Sequence, residues 1–138
     1  MPIGADLEAN KQVVRRHLAA SDRGDVHAQG ALLAEDVRWW IPQSGEEHAH
    51  IARPLEGKEA VLGLFANGDA FFTDRHTTID QIVAEGDYVA VHSHMQARTA
   101  SGNDYLNQYH WLFRLEGARI AEVWEHLDTA YAFARMAP

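Results

Sequence analysis

The chain has 138 residues, no cysteine, and twelve basic against twenty acidic residues for a net charge of −8. That length makes one domain, residues 1–138, with volume enough for a real core. The acidic balance argues against nucleic acid or anionic membrane as a partner, and the lack of cysteine removes disulfides and thiolate chemistry.

The opening, MPIGADLEAN, lacks the basic and apolar regions of a signal peptide. No segment approaches a membrane-spanning helix in length, so a cytoplasmic protein is expected. Asp6 to Arg23 reads as a helix capped by Asp6 and ended by Gly24, with Leu7, Val14 and Leu18 on one stripe and Val13 and His17 beside it. Asp25 caps a second, shorter helix through Ala34, with Val26, Leu32 and Leu33 apolar. Glu35 to Pro42 is a short strand closed by proline; Val37, Trp39 and Ile41 share one face, Arg38 and Trp40 the other. Gln43 to Glu56 is polar, holds His48 and His50, and reads as a mobile loop over whatever opening exists. Gly57 to about Asn67 is a third helix with Val61, Leu62, Leu64 and Phe65 apolar. Thr73 to Ala84 is a strand with Thr77, Ile79, Gln81 and Val83 on one side.

Three antiparallel strands follow, Tyr88–Thr99, Asp104–Leu115 and Arg119–Asp128, separated by turn signals at Ser101-Gly102-Asn103 and Glu116-Gly117-Ala118. Ala130 to Met136 continues as a short helix or a tail. Because side chains alternate, each turn length couples the faces of its two strands. A loop over Ala100–Asn103 pairs Thr99 with Asp104, which sets Gln96 beside Asn107, His94 beside Tyr109 and His92 beside Trp111. The second turn sets Tyr109 beside Glu125 and Val123 beside Trp111. One face then carries His92, His94, Gln96, Tyr105, Asn107, Tyr109, Trp111, Phe113, Val123, Glu125 and Leu127, which suits a cavity lining. The other, with Val89, Val91, Met95, Leu106, Leu112 and Trp124, suits a sheet contact with a second copy. A slip of one residue in either turn reverses the assignment, placing the aliphatic face under the helices and the histidines outside. The order of elements gives an α+β fold, three N-terminal helices on one side of a curved, mostly antiparallel sheet, enclosing a conical cavity.

Ala34-Glu35-Asp36-Val37 leading to Trp39 and Pro42, Leu55-Glu56-Gly57-Lys58-Glu59-Ala60 and Glu85-Gly86-Asp87-Tyr88-Val89-Ala90-Val91 resemble the nuclear-transport-factor-2-like superfamily. The pattern Tyr105-x-Asn107-x-Tyr109, Phe113-Arg114, Ile120-x-Glu122 and Glu125-x-x-Asp128-Thr129 resembles its SnoaL-like and ketosteroid-isomerase-like branch, over nearly the whole chain. The resemblance implies a conical α+β barrel, a cystatin-like arrangement. It leaves the reaction open, since the superfamily hosts isomerases, cyclases, dehydratases, epoxide hydrolases and binders. Where ketosteroid isomerases carry a tyrosine, a general-base aspartate and a protonated aspartate, this chain has His17, Ile41 and Trp111, so that mechanism is not expected. The SnoaL-like cyclases place a carboxylate on the last strand, at or next to Glu125.

The residues argue for Glu125 independently. A glutamate between Val123 and Leu127 on an inward face loses solvent, and desolvation lifts its pKa toward the working pH of a general acid or base. His94 or His17 is the expected second proton carrier, Tyr109 a hydrogen-bond donor, and Asn107 an oxyanion donor. Trp39, Trp111 and Phe65 form apolar walls, with His92 and Gln96 as further substrate contacts. The structural alternative for Glu125 is an ion pair with Arg98 or Arg114 at a sheet edge. His92-x-His94 with Glu125 is the kind of set that holds a divalent ion, but nothing else fixes such geometry, and neither metal nor cofactor is expected. The expectation is a homodimeric, cofactor-independent enzyme that isomerises, cyclises or dehydrates a small hydrophobic or carbonyl-containing substrate. The alternative is a non-catalytic ligand-binding or protein-interaction module of the same fold.

Overall fold

The computed structural model describes residues 6–41 and 53–138. Pro42, His48, His50 and most of the expected Gln43–Glu56 loop lie outside those residues. The order is α1 (Leu7–Asp22), α2 (Val26–Ala31), β1 (Leu33–Trp40), β2 (Leu55–Glu56), α3 (Lys58–Phe71), β3 (Phe72–Glu85), β4 (Tyr88–Thr99), β5 (Asp104–Glu116), β6 (Arg119–Leu127) and α4 (Thr129–Met136). The strands form one sheet in the order β2-β1-β6-β5-β4-β3, with β1 parallel to β6 and every other pair antiparallel.

Local chemistry sets the helix ends. Asp6, Asp25 and Asp128 each accept a hydrogen bond from a backbone N–H three residues on, at 3.0 Å, capping α1, α2 and α4. Gly24, at φ 67°, turns the chain out of α1 into the left-handed region that glycine tolerates. The second helix ends earlier than expected because Leu33 pairs with Ile120, and both are fully buried. Leu7, placed on the apolar stripe, is exposed; Val13, Val14, His17 and Leu18 make the buried side of α1.

The core lies between the helices and the concave face of the sheet. It joins Val14 and Leu18 of α1, Val37 and Trp39 of β1, Val61 and Phe65 of α3, Val89 and Val91 of β4, Phe113 of β5 and Val123 of β6. Each such aliphatic or aromatic side chain contributes about 1.5–3 kcal/mol through loss of water.

Register decides which face each strand shows to that core. Between β4 and β5 the partners are Arg98 with Asp104, Met95 with Asn107, Ser93 with Tyr109 and Val91 with Trp111, one residue away from the expected pairing. The cause is Thr99, which stays in the turn: its N–H donates to the Asn103 carbonyl and its Oγ1 accepts from the Asn103 N–H at 3.0 Å. The slip reverses β4, so Val89, Val91, Ser93 and Met95 face inward and His92, His94 and Gln96 outward. Between β5 and β6 the pairs are Tyr109 with Leu127, Trp111 with Glu125 and Phe113 with Val123. That is a shift of two residues, which preserves the face, so Glu125 points inward as expected.

Two irregularities re-aim β3. The ladder with β4 shifts between Ile79 and Gln81, so Ile82 and Ala84 turn inward while Val83 is exposed, against the expected alternation. A second shift lies between Thr73 and His76, where Asp74 adopts a positive φ of 54°.

Candidate active site

A cavity of about 390 Å³ opens between α1, α3, α4 and the concave face of the sheet, within the range of small-molecule sites. Its wall includes His17, Trp39, Phe65, Tyr109, Trp111 and Glu125, six of the residues singled out from the sequence. Ile41, which occupies a position where the ketosteroid isomerases are polar, borders it too.

Glu125 is the centre of the arrangement. It is half-buried and borders the cavity. Among the described residues its hydrogen-bond partner is Trp39, whose Nε1–H donates to Oε1 at 2.9 Å. Desolvation pushes the pKa up to about 7, opposed by the Trp39 bond, which favours the charged form. The ion-pair alternative does not hold: Arg98 pairs with Asp104, and Arg114 with Glu116 and Glu122.

His17 is 2% exposed, packed among the rings of Trp39, Phe65 and Phe113 at 5.4–6.0 Å. Burial lowers its pKa to about 4, so at neutral pH it is an uncharged imidazole, and its buried Nδ1 has no hydrogen-bond partner among the described residues. A neutral imidazole of low basicity serves as a hydrogen-bond donor or acceptor better than as a base.

The tyrosine hydroxyls of Tyr105 and Tyr109 are 2.8 Å apart, and both phenols are held neutral by burial. Asn107, expected to contact substrate oxygen directly, is instead committed. Its Nδ2 donates to the Tyr105 hydroxyl at 2.8 Å and to the Asp128 carbonyl at 3.0 Å. Its amide oxygen accepts from the Gln108 N–H, so Asn107 supports the tyrosine pair from behind. Ser93 and Met95 were missed as wall residues, and Tyr105, placed on the cavity face, was not named as a site residue. For Ser93 and Met95 the cause was the reversed face of β4.

The slip in β4 also removes three expected site residues from the cavity. His94 bonds Asp80 on the outer face at 2.8 Å, and His92 sits 3.3 Å from the Gln81 amide oxygen. Gln96 is exposed and pairs with Leu106, itself exposed. His92 and His94 therefore cannot converge with Glu125 on one ion, because the sheet lies between them.

Part of the remaining wall comes from residues not named as site residues from the sequence. Helix α4 contributes Ala132, Phe133 and Met136, and the start of β3 contributes Phe72, Arg75 and Thr77. No described helix is long and apolar enough to cross a membrane.

Comparison with solved structures places this architecture among known folds. An NTF2-like protein of unknown function from Burkholderia pseudomallei K96243 superposes with a TM-score of 0.81 at 22% identity, covering 94% of this chain and 98% of the other. A proposed SnoaL-like polyketide cyclase from Jannaschia sp. CCS1 gives 0.81 at 17% identity, covering 100% and 99%. A protein of ketosteroid-isomerase-like fold from Catenulispora acidiphila, solved in complex with trimethylamine, gives 0.75 at 22%, covering 90% and 91%. At these identities the likeness is one of fold, and the fold is the expected α+β cone. No curated protein matches the chain. The model of the SnoaL-like domain matches residues 14–123, from the middle of α1 to two residues short of Glu125, and on that match the chain belongs to the SnoaL-like domain family.

Proposed function

We propose that this protein is a small SnoaL-like enzyme that moves a proton next to a carbonyl group without a cofactor, giving isomerisation, cyclisation or dehydration of a hydrophobic substrate. The observation that carries the reading is Glu125: a carboxyl group bordering an aromatic cavity, held by one indole N–H, with a pKa of about 7. A base poised at the working pH combines a useful ionised fraction with a strong pull on the proton. In the reaction the Glu125 carboxylate takes the proton α to the carbonyl, and the enolate oxygen accepts a hydrogen bond from the tyrosine pair. The chain Asn107 to Tyr105 to Tyr109 orients that pair and polarises its terminal O–H. Neutral His17 supplies a second donor, and returning the proton from Glu125 to another carbon completes the shift.

The test uses exchange of the α-protons of 2-tetralone, a bicyclic ketone, followed by NMR in deuterated water. Wild type accelerates exchange, and the rate rises with pH through about 7 as Glu125 ionises. Glu125→Gln lowers the enzymatic rate on the order of a hundred- to ten-thousand-fold. Unchanged exchange in that variant removes Glu125 from the chemistry. Binding of the ketone by wild type with no exchange at any pH favours the alternative, a non-catalytic module. The trimethylamine complex of the Catenulispora protein is the observation on that side.

A further inference from the structure

The cavity wall holds one guanidinium that the proposed proton transfer does not use. Arg75 is 10% exposed in its side chain and lines the cavity beside Thr77 and Tyr109. It is ion-paired with Asp69, and its other N–H groups have no hydrogen-bond partner among the described residues. A guanidinium that lines a cavity offers its remaining N–H groups as donors to whatever occupies it.

The backbone is bent to put it there. Strict alternation from inward-facing Phe72 would turn Asp74 into the cavity and Arg75 away from it. Instead the ladder shifts between Thr73 and His76, Asp74 takes a φ of 54°, and Arg75 and Thr77 point inward. A left-handed non-glycine residue is strained, and such strain persists where the surroundings enforce it, often at ligand sites. Gly24 and Gly68 flank the guanidinium: a β-carbon on either would lie 3.6–3.7 Å from its terminal nitrogens.

We propose that Arg75 anchors an anionic group of the substrate, a carboxylate, so that the cavity takes a hydrophobic acid with its acid end at Arg75 and its reacting carbon at Glu125. This rests on the reading of the cavity as the substrate site. Planar carboxylate matches the guanidinium fork, which leaves the tyrosine pair to the enolate oxygen. Asp69 is the competitor that holds Arg75 in place when the site is empty of substrate.

Calorimetric binding of 2-naphthoate and of its neutral counterpart 2-naphthamide tests the assignment. Wild type binds naphthoate at least about tenfold more tightly than naphthamide, the scale of one charge-assisted pair. Arg75→Met abolishes that preference, weakening naphthoate about tenfold more than naphthamide. Asp69→Asn frees the guanidinium and tightens naphthoate about threefold or more, which decides the matter independently if Arg75→Met fails to fold. Equal binding of the two probes by wild type, no naphthoate binding at all, or naphthoate binding that survives in folded Arg75→Met overturns the proposal. The preference persists in Glu125→Gln, because that variant keeps Arg75. A preference lost in Arg75→Met with exchange untouched by Glu125→Gln would sink the catalytic reading alone; the reverse pattern would sink the anchor alone.

Discussion

Two glutamates three residues apart on β6 show how far environment separates identical side chains. Glu122 faces outward, where desolvation is outweighed by bonds from Trp40 at 2.7 Å, Arg38 at 2.8 Å and Arg114, and its pKa is lowered. Glu125 faces inward with the Trp39 bond alone among the described residues and is raised to about 7. Trp39→Phe keeps the ring and removes the donor, so the pH at which exchange rises should move up by about one unit or more. A profile that stays put would mean that the indole N–H does not tune the carboxyl group. Stability carries a second signature. Glu125 binds its proton more tightly folded than unfolded, so its contribution is present below about 4.5 and lost as the pH climbs through about 7. His17 does the opposite: its buried neutral form stabilises above about 6.5, and that contribution is lost as the pH falls through about 4. Between these values the two slopes, each about 1.4 kcal/mol per pH unit at most, oppose one another. Relative to wild type, urea denaturation should find Glu125→Gln gaining stability with rising pH over this range and His17→Leu losing it. Parallel profiles in all three proteins would show that neither group is perturbed.

At the scale of elements, α4 matters more than its length suggests. It lines the cavity through Ala132, Phe133 and Met136, and its cap, Asp128, also offers the carbonyl that anchors Asn107. Asp128→Ala should cost about 1 kcal/mol of stability in urea denaturation and weaken naphthamide binding as the wall loosens. Full retention of both would show that α4 is held by packing and not by its cap. Strand and helix positions were legible because their signals are local: Tyr88–Thr99 was read to the residue, and β5 and β6 to within one. The short β2 and the early end of α2 were not, since each is set by a partner strand rather than by its own residues. The face of β4 was misread for a similar reason. Thr99 keeps its ladder with Phe72 of β3 while folding its side chain into the turn toward β5, and that one residue moves His92, His94 and Gln96 outside.

For the whole molecule, the consequence of that reversal is an outer sheet face with His92, His110 and His126 in one row and Leu106 exposed at 53%. The homodimer was expected through a face with Val89, Val91 and Met95, which are turned inward; a contact through the outer face, which keeps Leu106, should show itself in sedimentation equilibrium at tens of micromolar protein. Leu106→Glu would place a carboxylate in the contact and shift the protein to monomer without loss of fold. A wild type that sediments as a monomer removes the proposal.

Periodicity and turn residues alone were enough for the α+β class, the Asp6 and Asp25 caps and the spans of β4, β5 and β6 to within a residue, because each depends on neighbours a few positions away. Which strands adjoin, which face of β4 is covered, and what Glu125 touches depend on groups brought together from far along the chain. Trp39 and Glu125 are 86 positions apart, joined because β1 runs parallel to β6 and pairs Trp39 with Val123. Alternation gives a strand two faces but cannot say which one the helices will cover; the turn and the packing choose between them.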